Sequence, residues 1–166
     1  MKRRHDTSTR VRRLNSNGAV NGRNRFPPES FFVWQKRRVS TMTTRYSGKC
    51  LCGQVQISVR GAPRRIGICH CTDCRQESGS AFTFFAVWPA EGFTHSGETA
   101  EFQGRRFCSR CGARLFSADE QEAEIKLGIL SNAPTPLTPT YELWVKRREH
   151  WLSPVEGAEQ HEEDRR

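Results

Sequence analysis

Apolar residues in this chain come in short alternating or continuous runs, without a sustained helical stripe. Val55, Ile57 and Val59 alternate with Gln54, Gln56 and Ser58, the period-two signature of a strand with one buried face. Gly61-Ala62-Pro63 breaks that run. Ala81-Phe82-Thr83-Phe84-Phe85-Ala86-Val87-Trp88 reads as a strand apolar on both faces and ended by Pro89. Phe82, Phe84, Ala86 and Trp88 would share one side, as core residues, with Trp88 also a candidate pocket wall. Further strands are predicted over 99–102, 124–130 and 141–146. A single helix start stands out: Asp73 with Gln76 three residues on, a capping pair opening a turn or two that closes at Gly79. The pattern predicts a mainly β fold with minimal helix and a core small for the chain's length.

At 166 residues the chain suits one domain plus tails. Residues 1–41 mix Arg with Asn, Ser and Gly and show no period, and so polar a segment buries too little apolar surface to offset its ordering entropy. Phe31-Phe32-Val33-Trp34 is its one apolar knot. Three readings of this basic leader stand: an interaction arm, an Arg-rich organelle transit segment, or a stretch ahead of a natural start at Met42. The domain proper is expected over 42–152, with 153–166 an acidic tail of which 156–166 fray.

Charge sharpens this division. Residues 1–41 hold 11 of the 27 Lys+Arg and 2 of the 18 Asp+Glu, so the remainder carries 16 of each and the whole net +9 sits in the leader. The domain therefore has no global field to steer polyanions, and nucleic acid is not its expected partner. Arg64-Arg65, Arg105-Arg106 and Lys146-Arg147-Arg148 read as solvated edges. No run approaches the roughly 18 apolar residues of a membrane span, and no apolar h-region follows Met1. The expected setting is the cytoplasm, where thiols stay reduced.

The chemistry lies in the cysteines. All seven stand in ligand-spaced clusters: Cys50 and Cys52; Cys69, Cys71 and Cys74; Cys108 and Cys111. Residues two apart are poor disulfide partners, and an odd count argues against a disulfide framework. In an extended segment Cys50 and Cys52 point to one side, and Cys108-Ser109-Arg110-Cys111-Gly112 is a knuckle. Together these half-sites would close a four-sulfur cage that ties the first strand to a late hairpin. Cys69, Cys71 and Cys74 form a tripod on a strand end running into a helical first turn, whose dipole favours thiolate. His70 should point away from Cys69 and Cys71, which favours a role in proton handling or support over ligation. Soft thiolates select zinc among abundant metals, so two Zn2+ per chain are expected: four ligands make a structural site, and three leave one position for water or substrate. Such a site can hold a substrate thiol ionised near neutral pH, and a thiolate so held makes or breaks a bond to a carbonyl carbon. Arg75 could offset negative charge there, or be a plain surface arginine.

Gly48-Lys-Cys-Leu-Cys-Gly53, Cys69-His-Cys-Thr-Asp-Cys-Arg75, Ser78-Gly-Ser-Ala-Phe82 and Phe107-Cys-Ser-Arg-Cys-Gly112 together resemble the family of glutathione-dependent formaldehyde-activating enzymes and centromere protein V, from about Tyr46 to Trp151. The resemblance implies an Mss4-like, zinc-held β fold. It implies a structural zinc on Cys50, Cys52, Cys108 and Cys111 and a catalytic zinc on Cys69, Cys71 and Cys74. It implies a carbon–sulfur lyase that joins glutathione and formaldehyde into S-hydroxymethylglutathione. Glu77 departs from the small or neutral residue expected at its position, so an anionic substrate would fit differently. A competing reading is a non-catalytic zinc module that binds a protein or chromatin through its basic arm, and a third is a double zinc staple with no other ligand.

Overall fold

A computed structural model describes residues 44–165. The readings made for 1–41 and for Met42 lie outside the described residues. Strands dominate and one α-helix is present among them, as the apolar pattern implies. Strands β1 (Arg45–Lys49), β2 (Gln56–Arg60) and β5 (Phe93–Ser96) form a three-stranded antiparallel sheet with β2 central. The larger sheet contains β3 (Arg65–Cys69), β4 (Thr83–Pro89), β6 (Thr99–Phe102), β7 (Arg105–Cys108), β8 (Arg114–Ala118), β9 (Glu122–Lys126), β10 (Tyr141–Leu143) and β11 (Glu159–His161). Its order is β11-β10-β3-β4-β9-β8-β7-β6. Pairing is antiparallel except where β10 lies parallel to both β3 and β11.

The continuous apolar run in β4 has the expected cause: both of its faces are covered. Ala86 and Trp88 face Val55 and, from the small sheet, Ile57 and Val59, together with Leu115, Phe116 and Ile125, while Phe85 and Val87 pack with Cys69 and Tyr141 on the other side. Trp88 is fully buried and donates from Nε1 to the Gly61 carbonyl at 3.1 Å, so it is core. The predicted strand over 124–130 begins two residues earlier and turns into a 3-10 helix at Leu127–Ile129. The one over 141–146 stops at Leu143, where Trp144 adopts φ 57° and ψ 41° and opens a 3-10 turn.

Two expectations are corrected. The helix α1 spans Thr72–Ser78, and its N-cap is Cys71, whose Sγ accepts from the Cys74 amide at 3.4 Å; Asp73 lies inside the first turn and pairs with Arg105 at 2.9 Å. A thiol here does what a hydroxyl or carboxylate usually does at such a cap. Gly79 closes the helix in the left-handed conformation, as expected. The second correction concerns the acidic tail, which does not simply fray: β11 extends the large sheet, registering Glu159–His161 against Tyr141–Leu143. Backbone pairing and ion pairs such as Lys146 with Glu163 hold a segment whose composition alone suggested a loose end.

Candidate metal centre

The chain brings its cysteines together in two groups, and all the sulfurs within each lie within 4.8 Å of one another. The first joins Cys50 and Cys52, at the turn after β1, to Cys108 and Cys111, at the turn between β7 and β8. Both turns are built alike. Cys50 pairs its backbone with Val55 and Cys108 with Ala113, while the Val55 amide also donates to Cys50 Sγ at 3.2 Å. Sulfur contacts of 3.5 Å (Cys50–Cys52) and 3.7 Å (Cys52–Cys108) close the group. The Ala113 and Cys52 amides facing Cys111 hold its thiol down at about 6. Cys52 receives similar help from the Gln54 amide, but burial and the neighbouring sulfurs outweigh it and push the thiol up to about 11. Four thiols so crowded cannot all ionise without a cation, and a cation is what this donor set suits.

The second group consists of Cys69, Cys71 and Cys74 alone, so among the described residues no fourth histidine, cysteine or carboxylate joins it. Cys69 ends β3, Cys71 caps α1, and Cys74 sits one turn in. Contact with Cys69, together with burial, drives the Cys74 thiol strongly upward, and burial raises Cys71. Here too the donors suit a soft cation.

His70 lies between two ligating positions yet turns away from both. Its ring is fully buried, with Nε2 2.9 Å from Glu142 Oε2 and Phe82 set edge-on at 5.9 Å between centroids. Its Nδ1 is buried without a hydrogen-bond partner. Arg75 also turns away, donating to the Arg147 carbonyl at 2.9 Å and pairing with Glu149. Thr83, opposite Cys69 in the β3–β4 ladder, donates its hydroxyl to the Cys74 carbonyl at 2.8 Å.

A cavity of about 480 Å³ has a wall that runs from Glu77, Thr83 and Phe84, near Cys74, to Gly112 and Ala113, beside Cys111, and includes Arg114, Lys126 and Ile129. None of the three sulfurs lines it; Thr83 connects the two. Glu77 accepts from Arg114 Nε at 2.8 Å, lies 3.2 Å from Arg105 Nε, and forms an ion pair with Lys126. Burial opposes the Glu77 charge, but Lys126 and Arg114 outweigh it and hold the carboxyl below its usual range. Arg114, Lys126 and Glu142 were not legible as site residues. Lys126 follows Glu124 in an alternating strand and reads as a solvated cation, and nothing local marks an acid 72 residues from its histidine.

Other cations are similarly engaged: Arg65 with Glu122, Arg106 with Glu101 at 2.7 Å, and Arg148 with Gln160 at 2.6 Å. No helix among the described residues is long and apolar enough to cross a membrane.

No curated protein matches the chain. Among solved structures, the crystal structure of a Rhodobacter sphaeroides protein is similar at 20% identity over 54% of this chain and 91% of that chain, with a TM-score of 0.42. The family model described as glutathione-dependent formaldehyde-activating enzyme matches residues 45–147. That span contains both cysteine groups and the cavity, and by it the chain belongs to the glutathione-dependent formaldehyde-activating enzyme family.

Proposed function

We propose that this chain is a zinc-dependent carbon–sulfur lyase acting on small thiol adducts, of the type that joins glutathione and formaldehyde into S-hydroxymethylglutathione. The observation that carries the reading is the contrast between a group of four sulfurs and a group of three that no fourth donor among the described residues completes. A zinc ion held by Cys69, Cys71 and Cys74 would supply a further coordination position at which a small thiol is kept ionised near neutral pH. Addition then forms one carbon–sulfur bond; the carbonyl π pair moves to oxygen, which takes a proton from water. The reverse reaction breaks the same bond.

The protein's part is placement. Thr83 of β4 donates to the Cys74 carbonyl and so holds the first turn of α1 against the sheet, while Ser78 donates to the same carbonyl from within the helix. His70 and Glu142 anchor the segment between Cys69 and Cys71 from behind. Phe82, Phe84 and Ile129 give the cavity apolar walls that exclude water from part of the bound thiol. Cys50, Cys52, Cys108 and Cys111 would hold a second zinc whose work is structural.

Exchange NMR on glutathione and formaldehyde tests the proposal. With the zinc-loaded chain present, formation and breakdown of S-hydroxymethylglutathione should run faster than in buffer, and Cys71→Ser should return both to the buffer rate. Equal rates with and without wild-type protein would leave a zinc-binding module in place of an enzyme.

A further inference from the structure

We propose that Glu77 sets the thiol selectivity of this site: its carboxylate occupies the cations that line the cavity, so the chain takes thiols with no carboxylate beside the sulfur. The inference rests on the thiol-binding reading of the cysteine tripod. Glu77 follows Cys74 by three residues on α1, the spacing that places two side chains on one helix face. It thus reaches the cavity, whose wall meets the tripod through Thr83 and the Cys74 carbonyl.

Two cations line that cavity, and both are already engaged. Every nitrogen of Arg114 is engaged: Nε with Glu77, Nη1 with the Arg106 and Phe116 carbonyls, and Nη2 with Ser117 Oγ at 2.8 Å. Lys126 lies between Glu77 and Glu124, the latter at 2.8 Å. Arg105, third partner of Glu77, is shared with Asp73. An incoming carboxylate would therefore lose its hydration without gaining an unpaired cation, and would meet the Glu77 charge besides. A neutral or cationic group beside the sulfur incurs neither cost. Glutathione satisfies the rule, because its cysteine sulfur is flanked by amides and its carboxylates lie several bonds away. A short mercaptocarboxylate does not. With the carboxylate of Glu77 removed, Lys126 and Arg114 Nε become available to a substrate acid.

The test uses the zinc-loaded full chain and two probes of equal reach, mercaptoacetate and its methyl ester, with Kd measured by calorimetry and each thiol's own acidity divided out. Wild type should bind the ester about tenfold more tightly, the scale of one short-range charge interaction in a half-buried site. Glu77→Gln should bring the two probes to within about twofold or reverse their order. Equal affinities in wild type, or an unchanged ratio in a Glu77→Gln protein whose circular dichroism is native, overturn the inference. Should that variant not fold, the wild-type ratio decides alone. If neither the two probes nor glutathione binds wild type, the lyase reading falls and takes this inference with it; binding of glutathione without the ester, or of both probes without discrimination, sinks this inference only.

Discussion

His70 Nε2 lies 2.9 Å from Glu142 Oε2, and both side chains are closed off from solvent. The other carboxylate oxygen of Glu142 accepts the Val155 amide and the Gln160 side-chain amide, the latter at 3.0 Å. A segment between two candidate ligands is thereby fastened, through one buried acid, to the C-terminal stretch. Burial works against the charge on Glu142, but Val155, Gln160, His70 and Arg148 outweigh it and hold the carboxyl at about 2.

That shift gives a pH dependence with a definite sign. A carboxyl whose folded value lies below its unfolded 4.5 stabilises the fold fully above 4.5 and loses that contribution as pH falls toward 2. Glu142→Gln should lower stability at neutral pH, on the order of 2–3 kcal/mol. The difference between wild type and variant should close between pH 4.5 and 2 in thermal melts. A gap constant across that range would mean the charge contributes nothing.

Truncation after Pro154 removes β11 with the Val155 and Gln160 donors, leaving Glu142 buried with fewer partners. Loss of hydrogen bonds to a buried charge should cost on the order of 3–5 kcal/mol. The thermal midpoint should fall sharply even though no cysteine is touched. An unchanged midpoint would return residues 155–165 to the status of a loose tail.

The two sulfur groups should respond differently to loss of one member. Purified wild type should carry two zinc ions per chain by elemental analysis. Cys71→Ser should carry one and keep its native circular dichroism. Cys108 is fully buried and belongs to the group that bridges a separation of 56 residues from Cys52, so Cys108→Ser gives up a loop closure worth on the order of 4 kcal/mol and should unfold the domain. Identical behaviour of the two variants would abolish the division between structural and catalytic sites.

Gly67→Ala tests the seam between β3 and β10. A Cβ there would lie 2.6 Å from the Tyr141 ring and 3.1 Å from Phe85, so the seam must open. Overpacking of this kind costs about 1–3 kcal/mol. Chemical denaturation should register that loss, and since Glu142 follows Tyr141, the thiol-exchange rate should fall with it. A fully native rate and stability would mean that β10 shifts freely.

Much of the architecture follows from patterns short enough to be local. The alternation around Val55–Val59, the doubly apolar run ending at Pro89, and the cysteine spacings each reflect a constraint within a few residues, and the structure honours them. Elements missed had weak or contrary local signals. β3 was legible only at its Cys69 end, because its middle carries Gly67, where the Tyr141 ring occupies the space a side chain would need. The turn joining β6 to β7 is Gln103-Gly104, outside the usual Asn-Gly or Asp-Gly vocabulary. β11 consists of Glu159, Gln160 and His161, polar residues that make a strand only because β10 supplies the partner edge.

The candidate site divides along the same line. Cysteine is rare and its ligand spacing is local, so sequence alone marked all seven sulfurs and divided them four and three. What surrounds those sulfurs depends on pairings across dozens of residues: Glu142 behind His70, Arg114 and Lys126 around Glu77, and Thr83 against Cys74. A charged side chain reads alike in sequence whether it meets water or an opposite charge. Only the folded chain decides which, because burial and charge pairing are set by neighbours that the linear order keeps apart.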